Sequence, residues 1–174
     1  MRNAEGDGGS GSFAEVERYI EVTRQRLPGY PHERVKLARL VTHVQKRQSD
    51  LSNAVLKRHG LNYVKYTALM MMYGTPGRTL TPSTLSEGTG EKPANITRIC
   101  DELLQQGLIE RHPSAEDRRR VDLHLTREGE RLIEKLQPEL WQVWDEIYGC
   151  FNAAELRQLT RLLRKPLARL DASG

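Results

Sequence analysis

TPSTLSEGTGEKPANITRICDELLQQGLIERHPSAEDRRRVDLHLT, residues Thr81 to Thr126, is the stretch that decides the fold. Within it Ile96, Ile99, Cys100, Leu103 and Leu104 fall at i, i+3, i+4, i+7 and i+8, a single apolar stripe at helical period. Pro93 fits only the first turn of a helix, where its missing N–H removes no helical bond, so this helix starts at about Lys92 and Pro93 and stops at Gly107. Upstream, Thr81 caps a short helix that opens at Pro82, and Gly88 and Gly90 supply the backbone freedom of a tight inter-helical turn. The pattern is a helix-turn-helix.

In such a unit the first turns of the second helix are the ones that reach base edges in a DNA major groove. Lys92, Pro93, Ala94, Asn95, Thr97 and Arg98 occupy those turns. Asparagine suits adenine, arginine suits guanine or a phosphate, and Thr97 and Ala94 suit a thymine methyl. After the helix, Leu108 to His112 and the alternating run Val121 to Leu125 are two strands joined by Pro113 to Arg120. The expected hairpin carries Arg118, Arg119 and Arg120 at its tip, placed for phosphate or a narrow minor groove, with Asp117 as the internal partner that orients one guanidinium.

These residues resemble the MarR family of winged-helix regulators. The resemblance rests on the order Thr81 to Glu87, Asn95-Ile96-Thr97-Arg98, Leu103, Gly107-Leu108-Ile109, Asp117-Arg118-Arg119 and Leu125-Thr126-x-x-Gly129. Gly60-Leu61-Asn62 followed by Tyr66 and Leu69 extends it upstream, so it covers roughly residues 34 to 171. Leu37 to Gln48 with His43, and Thr97 to Leu103, are most similar to the EmrR-type branch that controls multidrug efflux. The resemblance implies a repressor that binds double-stranded DNA as a homodimer and is released by a small aromatic or phenolic effector. It also implies an effector cleft, for which Arg39, His43, Arg47, Tyr63, Tyr66, Met70, Tyr73, Trp141 and Trp144 are candidates: cations for an acid, aromatic and methionine side chains for a flat ring. The Met70-Met71-Met72 run and the long N-terminal lead depart from the family pattern.

The rest of the chain is read around that unit. Residues 1–12, MRNAEGDGGSGS, are expected to be a disordered leader. Residues 13–62 hold N-terminal helices for dimerisation and the effector pocket, 63–126 the winged helix-turn-helix, and 127–174 C-terminal dimerisation helices, within one compact domain overall. Phe13, Val16, Ile20 and Leu27 form one helical stripe, and Leu37, Leu40, Val41, Val44, Leu51 and Val55 form the next. Asn62 caps a helix over about Tyr63 to Tyr73, and Thr126 caps a long one to about Gly149 that Pro138 bends. Asn152 with Glu155 is a capping box opening a last helix, kinked near Pro166. The expected class is mainly α with a small β-hairpin wing. Apolar stripes at both ends have no partner inside one reading unit, and two-fold dimerisation would bury them while setting two reading helices roughly 34 Å apart.

Charge sharpens the function class. The 174 residues carry a net charge of +4, and residues 34–58 hold seven Lys or Arg against Asp50 alone. Residues 92–131 balance eight Lys or Arg with eight Asp or Glu, a patterned rather than a uniformly basic surface. No apolar run approaches the roughly 18 residues of a membrane span, the N-terminus has no signal-peptide core, and two cysteines make no disulfide framework. The expected location is the cytoplasm, on the nucleoid. No nucleophile with its base, phosphate loop or paired carboxylates qualifies as a catalytic site, so no enzyme and no cofactor is expected. Glu110, His112, Asp122 and His124 lack metal-ligand spacing, and no metal is expected either. Three rival readings remain. One is a redox-responsive repressor using Cys100 or Cys150, although the family's peroxide sensors carry their cysteine near the N-terminus; the second is a non-specific architectural DNA-binding protein, and the third an interaction module that binds no DNA.

Overall fold

The computed structural model describes residues 11–114 and 121–172. Most of the leader therefore lies outside the described residues, as do Asp117, Arg118, Arg119 and Arg120. The elements are α1 (Ala14–Arg26), α2 (His32–Leu56), α3 (Tyr63–Tyr73), β1 (Thr79–Leu80), α4 (Pro82–Thr89), α5 (Pro93–Gln105), β2 (Ile109–Pro113), β3 (Val121–Leu125), α6 (Arg127–Tyr148) and α7 (Ala153–Asp171). They form two compact units, residues 1–51 and 52–174. The boundary falls inside α2.

In the first unit α1 and the start of α2 are joined by the ion pair of Lys36 Nζ with Glu17 at 2.7 Å, and His32 Nε2 lies 3.5 Å from Glu21. Arg24 also bonds Glu21 and is the main reason its carboxyl sits at about 2. Ile20 is the one buried residue of α1, whereas Leu37, Leu40, Val41 and Val44 of α2 stay exposed.

The second unit is organised by the stripe of α5. Ile96, Ile99, Cys100 and Leu103 are all buried, and against them pack Leu69 and Met72 of α3, Leu85 of α4, Ile109 and Leu123 of the strands, and Ile133 and Leu136 of α6. The caps are those expected: Asn62 Oδ1 accepts from Lys65 N at 2.9 Å, Thr126 Oγ1 from Gly129 N at 3.0 Å, and Asn152 and Glu155 close a capping box. Both α6 and α7 run on through Pro138 and Pro166. No described residue of α7 is buried; Leu156, Leu163, Leu167 and Leu170 are exposed.

The wing is more than a hairpin. Thr79 and Leu80 form a third strand, giving the antiparallel order β1-β3-β2 with Thr79 opposite His124 and Glu110 opposite His124 on the other side. Strand β2 also begins one residue later than expected, because the Leu108 N–H bonds Leu103 O, closing α5, rather than entering the ladder. Gly88 has a different role from the one its sequence suggests. It lies inside α4, where the end of the Met71 side chain packs against it, with Cε 2.1 Å from where a Cβ would stand; Gly90, at φ +71°, makes the turn.

Candidate nucleic-acid interface

The geometry of the reading unit follows from its local chemistry. Thr81 Oγ1 accepts from Thr84 N at 3.2 Å and Pro82 occupies the first turn, which fixes the start of α4. At the turn, Ser86 Oγ donates to Glu91 O at 2.6 Å while Gly90 takes the left-handed conformation. Lys92 is extended and Pro93 opens α5, as its missing N–H predicts. With the apolar stripe facing the core, Lys92, Pro93, Ala94, Thr97 and Arg98 are exposed and Asn95 is half-buried. All six residues singled out for base contact therefore lie along the first turns on the face turned from the core.

Those polar side chains already bond one another. Asn95 Nδ2 donates to Glu91 Oε2 at 2.5 Å, and Asn95 Oδ1 accepts from Arg98 Nη2 at 2.7 Å. Arg98 Nη1 donates to Glu102 Oε1, and Glu102 Oε2 lies 2.7 Å from Lys65 Nζ, on α3. The bond from Lys65 is the largest of the influences that hold the Glu102 carboxyl below the usual carboxylate range. Thr97 Oγ1 donates back to Pro93 O at 3.1 Å. The sequence singles out Asn95 and Arg98 for base contact but does not show their bonds to Glu91 and Glu102, nor the link from Glu102 to Lys65. The i, i+4 spacing of Glu91 and Asn95, and of Arg98 and Glu102, could have revealed half of the chain. Lys65 left its own signal: a lysine in register with Leu69 and Met72 on a buried stripe.

On the wing, Arg111 Nη2 donates to Asp101 Oδ1 at 2.9 Å and ties β2 to α5. The outer face of the sheet pairs His112 and His124 edge to face at 4.7 Å, with Thr79 Oγ1 2.9 Å from His124 Nδ1 and Glu110 Oε2 3.2 Å from His112 Nε2. Among the described residues no group of three or more ligand-type side chains is gathered for a metal.

The residues singled out for an effector divide between the two units. In the second, Gln137 Nε2 donates to Tyr66 Oη at 3.2 Å and to Met70 Sδ at 2.9 Å; Tyr66 is buried, and burial pushes its phenol up. Tyr63 lies 6.5 Å from Tyr66, and Trp144 stacks on Tyr148 at 6.4 Å. Trp141 is 59% exposed, too open to enclose a ring by itself. In the first unit Arg39 and Arg47 are exposed, and His43 Nε2 lies 2.9 Å from Ser12 Oγ with the Phe13 ring 5.4 Å away.

Cys100 is buried, and burial is the main cause pushing its thiol up; Cys150 is exposed. The thiolate is the reactive form, so Cys100 is expected to stay unmodified by iodoacetamide at pH 7.5 in the folded protein while Cys150 is alkylated. Mass spectrometry after a timed quench checks this, and comparable labelling of both would show that the α5 stripe opens readily.

Among the described residues no helix is long and apolar enough to cross a membrane. The sequence pattern of the MarR family matches residues 59–120. Over 160 residues, 92% of this chain and 91% of the relative, the sequence is 32% identical to the transcriptional repressor MprA (EmrR) of Escherichia coli K12. The fold superposes on a mutant MarR from Escherichia coli complexed with operator DNA with a TM-score of 0.70 at 26% identity, covering 78% of this chain and 96% of that one. It superposes on AbsC, a MarR family transcriptional regulator from Streptomyces coelicolor, with a TM-score of 0.72 at 19% identity, covering 79% and 93%.

Proposed function

The chain belongs to the MarR family of winged-helix transcriptional regulators, and from that premise we propose that it is a homodimeric repressor that reads a palindromic operator and leaves it when a small aromatic or phenolic acid binds. The observation that carries the reading is the outward polar face of α5, which begins at a proline-opened first turn beside a sheet tied to it by the Arg111–Asp101 pair. Lys92 to Arg98 on that face would enter the major groove, and the wing-tip arginines 118 to 120 would hold the flanking backbone, with Asp117 orienting one of them. MprA is a transcriptional repressor and the mutant MarR was solved on operator DNA, which supports the same role here.

Dimerisation is supported by the apolar side chains that a single chain leaves in water. Leu37 and Val41 of α2, and Leu163, Leu167 and Leu170 of α7, are between 44% and 70% exposed. Burying a fully exposed side chain of this kind is worth about 1.5–3 kcal/mol, and sealing these half-exposed ones across a two-fold axis would contribute roughly half of that each toward association. The operator would then be a palindrome with half-sites about one helical turn apart. The regulated genes would be an efflux or aromatic-compound operon and the gene of the protein itself, in the cytoplasm.

For the effector, the half-buried Tyr63 and Met70, next to the buried Tyr66 and its bond to Gln137, would supply the ring-binding surface. An acid favouring dimers whose α5 helices no longer match groove spacing needs a coupling of only about 1–3 kcal/mol to weaken DNA binding about 5- to 150-fold. Fluorescence anisotropy on a duplex from the region upstream of its own gene, titrated with salicylate-like acids at constant salt, tests this. Release over that range is the expected result, and binding indifferent to every acid would remove the effector from the account.

A further inference from the structure

We propose that Lys65 is a positioning residue for base discrimination, although it lies on α3 and outside the reading helix. The inference rests on the reading of α5 as the recognition helix, and deepens it. Lys65 is only 8% exposed, and its ammonium has two partners: Glu102 Oε2 at 2.7 Å and Gly60 O at 3.5 Å. A buried ion pair rarely contributes net stability, because the desolvation of both charges cancels most of their attraction; a pair of apolar residues in place of Lys65 and Glu102 would serve the core at least as well. What the lysine does is fix a carboxylate that faces the other way.

Glu102 bridges two cations. One oxygen is held by the buried Lys65, the other receives Arg98 Nη1, and Arg98 Nη2 in turn holds Asn95 Oδ1. Alone, the exposed Arg98–Glu102 pair at i, i+4 would be too weak to keep a long side chain in one place. With the carboxylate anchored from below, the guanidinium and the Asn95 amide are set before DNA arrives, and the entropy cost of ordering them is met in the free protein. Lys65 also settles the charge. Without it Glu102 would cancel Arg98 one for one at the groove; with it the carboxylate is shared, and Arg98 keeps positive charge for a base acceptor.

The test is Lys65→Met in the full chain, measured as affinity for the best duplex enriched from a randomised pool and for a scrambled duplex at the same salt. The expected result is a loss of about five- to tenfold in the ratio of the two affinities, with binding to the scrambled duplex held within about twofold. In an Arg98→Ala background the same substitution should change the ratio no further. The Arg98 Nε–Hε resonance of the DNA-free protein should move on Lys65→Met. An unchanged ratio, an unmoved resonance, or a loss that persists without Arg98 would each overturn the inference, the last by making Lys65 merely structural. Should Lys65→Met fail to fold, Glu102→Gln weakens the same link from the exposed end: a loss of about five- to tenfold in the ratio supports the inference and an unchanged ratio overturns it. A wild-type protein that binds both duplexes equally would bring down the recognition reading itself, and this inference with it.

Discussion

Arg98→Ala is expected to weaken binding to the operator by about 1–3 kcal/mol, roughly 5- to 150-fold, while affinity for scrambled DNA changes by no more than about threefold. Arg98 is exposed on the second turn of α5, three residues past Asn95, with both terminal nitrogens held by neighbours on its own helix. Each Nη retains a second N–H for a base acceptor, so the intramolecular bonds orient the group without exhausting it. Truncation removes that donor pair, frees Asn95 Oδ1, and leaves Glu102 facing the groove with one cation fewer, three changes that all act against the cognate site. Arg98→Lys keeps the charge but loses the planar fork, and should recover little of the discrimination. Competition anisotropy with both duplexes at one salt concentration checks the split. Equal losses on both would make Arg98 a phosphate contact.

Gly129→Ala is expected to destabilise the fold by about 1–3 kcal/mol, the usual cost of overpacking a close contact. Gly129 is buried in the first turn of α6, and a Cβ there would lie 2.4 Å from Leu108 O and 2.7 Å from Leu125 Cδ1. The backbone around it cannot easily yield. Thr126 N donates to Leu108 O at 3.1 Å and Thr126 Oγ1 to Gly107 O at 2.7 Å, so the start of α6, the end of α5 and the base of the wing are one bonded unit. At about 2–4 °C per kcal/mol for a chain of this size, the melting temperature should fall by several degrees. Operator affinity should fall with it, because the wing is moved relative to α5. Glu128→Ala, one residue earlier on the exposed side, should stay within about 0.5 kcal/mol of wild type. A wild-type melting curve for Gly129→Ala would mean that the α6 turn rearranges freely, and the rigid wing base would be lost from the account.

What the sequence made legible was local. Pro93, Gly90, Asn62, Thr126 and the Asn152–Glu155 pair each act within one turn of chain, and each does in the structure what its chemistry demands. The core face of α5 was legible for the same reason: its period needs no knowledge of the partner. What escaped was set by partners distant in sequence. Strand β1 has two residues, too few for any period, and exists because His124 and Leu123 offer it a ladder. Gly88 reads as a turn glycine until Met71 is seen against it, and the three-methionine run divides by contact: Met72 in the core, Met71 on Gly88, Met70 accepting from Gln137. Lys65 and Glu102 lie on different helices, so their bond is invisible to helical spacing, and with it the reason the reading face is ordered. The wing-tip arginines lie outside the described residues, and the expectation placed on them rests on sequence and family alone.

The most direct test of a dimer that reads DNA sequence is a hydroxyl-radical footprint of the wild-type protein across the region upstream of its own gene. Two protected patches of equal depth are expected on one face of the duplex, centred about one helical turn apart, roughly 34–36 Å, and related by a dyad in the DNA sequence. Even protection along the whole fragment, fading with salt and blind to sequence, would contradict it.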